Sequence, residues 1–244
     1  MDFHNTYEDA RRATAYDQLD WAGTYSLVLR DLPRLVREHA TGHRAVDFGC
    51  GTGRSSRLLA SLGYRTIGVD ISAEMVEIAR RRDTEGDYRV IEDGDCSSLE
   101  AGAFDLVLSA FTFDNVPGRE RKVRLFTRLG KLLRPGGRMV NVVCTPEIYV
   151  HEWVTFSTRD HPENRSARCG DVVHIVTTDY EDARPVPDIL WPDEDYRDVY
   201  RASGLEVERF ETPLATGREG IAWVSETRIP PWALYVLSPA GATP

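Results

Sequence analysis

The chain has 244 residues, 41% hydrophobic and 28% charged, the composition of a folded globular protein that buries a core without disulfide or metal staples. Thirty Lys and Arg against 39 Asp and Glu give a formal charge of −9, a field that opposes phosphate backbones and acidic lipid surfaces. No nucleic-acid and no membrane partner is therefore expected; with no basic-then-apolar leader and no run near ~18 apolar residues, a cytoplasmic location is expected.

Residues 1–40 read as helical, with Leu27, Val28, Leu32, Leu35 and Val36 forming a stripe and Pro33 suiting the first turn of a second helix. From Arg44 the pattern becomes strand then helix. Strands are expected at 45–48, 65–70, 88–91, 104–109 and 139–144. Helices are expected at 54–62, from the N-cap Ser72 to about Arg82, and at 121–133, where Pro135-Gly136-Gly137 stops the last. The next convincing helix begins only at Asp193, so residues 145–192, 48 in all, should have structure of their own, with strands near 172–178 and 186–190. Residues 205–210 and 232–237 supply two last strands, expected as an antiparallel hairpin because no helical pattern joins them. Alternation of strand and helix predicts an α/β fold with a mainly parallel, doubly wound sheet.

In such a sheet ligands bind beyond the carboxyl ends of the strands. The first such turn is Asp47-Phe48-Gly49-Cys50-Gly51-Thr52-Gly53, where glycines let backbone approach a ligand closely and helix N-terminal amides face it. A nicotinamide enzyme also has a glycine-rich turn, but spaced Gly-x-Gly-x-x-Gly; counted from Gly49, that last position is Arg54. Asp70 ends the second strand, 21 positions after Gly49, and suits two ribose hydroxyls; Ile71 suits an adenine face. In Gly94-Asp95-Cys96, Asp95 suits an exocyclic amine and Cys96 offers a backbone amide. The cysteines Cys50, Cys96, Cys144 and Cys169 form no Cys-x-x-Cys pair, so they read as reduced thiols and no metal site is expected.

Asp47 to Gly53, then Val69-Asp70-Ile71-Ser72, Gly94-Asp95-Cys96, Phe104-Asp105-Leu106-Val107 and Leu133-Arg134-Pro135-Gly136-Gly137 together resemble class I S-adenosylmethionine-dependent methyltransferases. The resemblance implies a Rossmann-like seven-stranded sheet with an antiparallel edge hairpin and S-adenosylmethionine as cofactor. Residues 1–40 would form an N-terminal helical lid, 41–144 and 193–244 the cofactor-binding core, and 145–192 a small inserted substrate cap of the same domain. By the same resemblance Gly49, Gly51 and Gly53 would line the methionine part, with Asp47 supporting that loop. Asp70 would hold the ribose, Ile71 and Met75 would flank the adenine, and Asp95 would take its amine. Ser109, Ala110 and Phe111 would present a carbonyl to the ammonium, and Tyr16 or Tyr25 would cover the cofactor.

Residues 110–117 lack the Asn/Asp-Pro-Pro-Tyr pattern common in enzymes that resemble this group and methylate amide or base nitrogens, which with the acidic charge favours a small-molecule acceptor methylated on oxygen or nitrogen. Orientation alone contributes roughly 7–11 kcal/mol to an in-line displacement, so a base matters only for a protonated acceptor. His151 is the leading candidate base because it closely follows the fifth strand; Glu147 and Asp114 compete with it. Tyr149, Trp153, Phe156, Tyr180 and Trp191 supply aromatic surface from the insertion. A non-catalytic cofactor-binding sensor is the alternative from another class, and the motifs leave the oligomeric state open.

Overall fold

The computed structural model describes residue 17 and residues 21–178 and 184–241. The expectation for Tyr16, and that for Tyr180, lie outside these residues. Helix α1 (Ser26–His39) leads into strand β1 (Arg44–Phe48), helix α2 (Arg54–Ser61), strand β2 (Arg65–Asp70), helix α3 (Ala73–Arg82) and strand β3 (Asp87–Val90). Strand β4 (Phe104–Ala110), helix α4 (Arg119–Gly130) and strand β5 (Leu133–Cys144) follow. Then come the short β6 (Phe156–Ser157), β7 (Val172–Thr177), β8 (Val186–Ile189), helix α5 (Asp193–Ala202) and strands β9 (Leu205–Glu211) and β10 (Trp232–Pro239).

The main sheet has the order β3-β2-β1-β4-β5-β10-β9, and β6-β7-β8 form a second, three-stranded sheet. Strands β1 to β5 pair in parallel, whereas β10 runs antiparallel to both β5 and β9. This is the doubly wound, Rossmann-like α/β architecture, with the reversed strand inserted one place in from the edge. The strand order turns back between β1 and β4, which makes their carboxyl ends the crevice where such sheets bind ligands.

Alternation along the central strands covers both faces. Leu106 and Leu108 of β4 join Val140 and Val142 of β5 on the face packed by α1 and the small sheet, while Val107, Met139 and Val143 face α4 and α5. One helix, not two, spans Ser26–His39, and Pro33 lies inside it. An interior proline costs about 3 kcal/mol, but burying a side chain such as Leu or Val contributes about 1.5–3 kcal/mol each. Leu27, Val28, Leu32, Leu35 and Val36 are all buried, so the continuous apolar stripe prevails. Similarly, Pro135-Gly136-Gly137 falls inside β5 instead of before it; the β4 pairing steps from Phe104↔Leu133 to Leu106↔Arg138, which accommodates the turn as a bulge. At α3 the expected N-cap forms, with Ser72 Oγ accepting from Met75 N at 3.2 Å.

Glu226 joins separate parts of the chain. Its fully buried carboxylate accepts from Thr24 Oγ1 (2.7 Å) and Val154 N (2.8 Å) through Oε1, and from Val224 N (2.9 Å) and Ser225 N (3.0 Å) through Oε2. The segment before α1, the segment before β6 and the approach to β10 thereby share one acceptor. Among the described residues no helix is long and apolar enough to cross a membrane.

Candidate active site

A cavity lies along the carboxyl ends of β1, β2 and β4 and runs on to the small sheet, enclosing about 1280 Å³ with its mouth included.

Its first half is built by the strand-ending turns. Gly49 N and Cys50 N both donate to Val69 O, at 2.8 and 3.0 Å, which folds the glycine turn back over β2. Gly49 has φ +74°, and a Cβ there would lie 2.1 Å from Thr112 Oγ1, a hydroxyl that donates to Phe48 O at 3.1 Å. Gly49→Ala therefore combines backbone strain with a clash and is expected to cost about 1–3 kcal/mol of stability. In thermal melts Gly49→Ala with Thr112→Ala should recover part of the steric share, since the Cβ of residue 112 stays 2.8 Å away; equal melting of Gly49→Ala and wild type would refute this account of the turn.

Asp70 accepts from Gly51 N (2.8 Å) through Oδ2 and from Ser72 N (2.9 Å) through Oδ1, so one carboxylate braces two turns. Burial raises its pKa against these hydrogen bonds. Asp47 lies fully buried beneath the turn, accepting from Ser55 and Ser56 hydroxyls at 2.6 Å each through Oδ2, while Oδ1 is without a partner. Burial pushes the Asp47 carboxyl up to about 6, opposed by the Ser55 and Ser56 bonds. Two desolvated carboxyls and a turn that presents Gly49 and Gly51 to the cavity fit a cationic, amide-binding cofactor such as S-adenosylmethionine.

Of the candidate cofactor residues, Tyr25, Gly49, Gly51, Asp70, Ile71, Met75, Gly94, Ala110 and Phe111 line the cavity. Asp47, Cys50, Gly53, Asp95, Cys96 and Ser109 do not. Asp95 turns to solvent and holds Ser97 N and Oγ, both at 3.0 Å, hydrogen bonds that lower its pKa. Asp93 and Gly94, two and one residues earlier, face the cavity instead. Phe111 holds φ +61°, a strained conformation for a side chain of this size, at the point where β4 delivers it to the site.

The second half is aromatic and apolar. Trp232, at the start of the reversed strand, stacks on Tyr25 (5.4 Å between centroids) and meets Phe111 (4.8 Å) and Phe156 (5.8 Å) edgewise. Ile148, Ile175 and Val186 complete it. The candidate bases separate. Asp114 lines the cavity, buried, with both oxygens near Cys144 N (3.1 and 3.2 Å). Glu147 and His151 pair with each other at 3.2 Å and are absent from the cavity wall; His151 borders a separate surface depression with Arg159 and Arg165.

Three buried ionisable residues escaped the sequence reading. Asp188 on β8 lines the cavity and accepts from Tyr149 Oη at 3.1 Å; Lys122 on α4 lies behind the wall, donating to Phe113 O with Nζ 4.9 Å from the Trp191 ring. Glu226 is the third. Asp188 shares strand parity with the buried Val186, and Lys122 lies on the α4 face of Leu125, Phe126 and Leu129. A charge in an apolar phase was the signal available. Away from the cavity, ligand atoms of His161, Glu163 and His174 lie within 4.8 Å of one another.

Residues 46–141 match a family described as a methyltransferase domain, in keeping with an S-adenosylmethionine-dependent methyltransferase whose cofactor is S-adenosylmethionine. It is 27% identical over 214 residues to N-demethylindolmycin N-methyltransferase of Streptomyces griseus, covering 85% of this chain and 89% of that one. It is 34% identical over 108 residues to ubiquinone biosynthesis O-methyltransferase of Xanthomonas axonopodis pv. citri, spanning 43% of this chain and 44% of the relative. Among solved structures, DesVI of Streptomyces venezuelae superposes with a TM-score of 0.65 at 21% identity, over 94% of this chain and 98% of that one, a likeness of fold.

Proposed function

We propose that this enzyme transfers the methyl group of S-adenosylmethionine to an oxygen or nitrogen of a small molecule held in the aromatic half of the cavity. The observation that carries this reading is continuity: Gly49, Gly51 and Asp70 line one end of a single cavity, and Phe111, Phe156 and Trp232 the other. Bound at the glycine end, the cofactor supplies an already activated sulfonium methyl. Asp70 holds the ribose, Ile71 and Met75 flank the adenine, and Phe111 and Tyr25 close over the methyl-bearing end. Residues 145–192 act as the acceptor cap, since Ile148, Phe156, Ile175 and Val186 all come from them. The aromatic wall orients the acceptor and excludes water, which is most of what an in-line displacement requires. The −9 charge favours a small-molecule acceptor over nucleic acid. The N-methyltransferase and O-methyltransferase relatives, whose names specify small molecules, support the same class.

Incubation with S-adenosylmethionine and a panel of amines, phenols and carboxylic acids tests it. The expected result is acceptor-dependent release of S-adenosylhomocysteine together with a product one methylene heavier. Tight cofactor binding with no turnover across the panel would favour a sensor and overturn the enzymatic reading of the cavity.

A further inference from the structure

The aromatic half of the cavity has an acidic wall that methyl alignment alone does not require. Asp188 is 6% exposed, yet it lines the cavity, and among the described residues its carboxylate has one side-chain hydrogen bond, from Tyr149 Oη to Oδ2. Oδ1 takes none. β8 packs against the turn Phe113–Asn115, which brings Asp114 to the same wall. Lys122 is the compensating cation, but its Nζ is committed to Phe113 O and to the faces of Trp191 and Tyr196, behind the lining. Two carboxyls against one ammonium leave the wall one negative charge in excess when all are ionised. Desolvating an uncompensated carboxylate costs several kcal/mol, a penalty that a cation entering the cavity would offset.

Resting on the methyltransferase reading above, we propose that the acceptor is an amine on an apolar body, that it enters as its ammonium ion, and that Asp188 is the catalytic base. The ammonium gives one proton to Asp188 Oδ1. The freed nitrogen lone pair bonds the methyl carbon as the carbon–sulfur bond breaks and its electron pair stays on sulfur. Positive charge passes from sulfur to nitrogen, the product leaves as the methylated ammonium, and Asp188 releases its proton to solvent behind it. An alcohol or phenol would yield a neutral ether and leave the wall uncompensated. The aromatic side chains favour a cation as well, through the negative faces of their rings.

The titratable groups facing Asp188 are Asp114 from the turn after β4, Lys122 from α4, Cys144 at the end of β5 and Tyr149 in the turn Pro146–Tyr149 that follows it. Burial and the Asp114 charge hold the Asp188 carboxyl well above the usual carboxylate range, while the Tyr149 hydrogen bond lowers it. A carboxylate so raised is a stronger proton acceptor than an ordinary one.

Calorimetry on the full-length protein saturated with S-adenosylhomocysteine, using phenethylamine against 2-phenylethanol and tryptamine against tryptophol, tests the proposal. At least one amine should bind tenfold or more tightly than its alcohol, and Asp188→Asn should remove that preference without changing the alcohol. Tyr149→Phe, which keeps the ring, should move the rising limb of the kcat/KM profile for the bound amine to higher pH, a shift that a purely structural role would not produce. Equal binding within both pairs, no amine binding, or a preference that survives in Asp188→Asn overturns the proposal. Failure of S-adenosylhomocysteine itself to bind would instead overturn the reading on which it rests.

Discussion

Asp70→Ala is expected to weaken S-adenosylhomocysteine binding by at least about 100-fold in calorimetry. The proposed ribose contact uses two hydrogen bonds to a charged acceptor, about 1.5–3 kcal/mol each, and each 1.4 kcal/mol is tenfold in affinity. The same change frees Gly51 N and Ser72 N, so the turn that presents the glycines loosens as well. Asp70→Asn is not a rescue. The two amides donate to different carboxylate oxygens, and an asparagine must turn its NH2 toward one of them. Binding of Asp70→Ala within threefold of wild type would remove Asp70 from the ribose site.

The largest loss of stability should follow Glu226→Ala, about 3–5 kcal/mol. Four donors lose one shared acceptor, and each buried donor left unsatisfied costs about 1–3 kcal/mol before local relaxation. For a domain of this size each kcal/mol moves the midpoint by about 2–4 °C, so a fall of about 10 °C is expected in a thermal melt. Glu226→Gln should fall between: each oxygen receives at least one backbone amide, and either orientation of the glutamine sets its NH2 against a donor. A Glu226→Ala protein within 1 kcal/mol of wild type in urea would show that water replaces the carboxylate at no cost.

Periodic elements were legible because period and burial agree. β4 and β5 alternate onto two covered faces, and the glycine turn announces its backbone geometry. Pro33 was misleading because local propensity was weighed without the long-range burial of Leu32 and Leu35 that offsets it. The cofactor half of the site follows chain order, one turn after each strand. The aromatic half of the cavity does not: Tyr25, Phe156, Asp188 and Trp232 are brought together by strand reversal and by the small sheet, contacts far apart in sequence. Chain proximity to β5 favoured His151, yet the turn Pro146–Tyr149 carries it outward to pair with Glu147. Asp188, farther along the chain, returns to the cavity on β8.

The position of β10 has a consequence for how such an enzyme changes its acceptor. Because the strand runs backwards, the cavity receives its first residue, Trp232, and not its last, and that indole stacks on Tyr25 and meets Phe156. The wall is thus assembled from three distant stretches that interlock ring against ring. Grafting residues 145–192 from a relative would set foreign side chains against a resident Tyr25 and Trp232, and the grafted backbone would have to bring an N–H to Glu226 where Val154 N now donates. On the proposed function, acceptor range follows from a correlated set of positions, and it diverges only when members of that set change together.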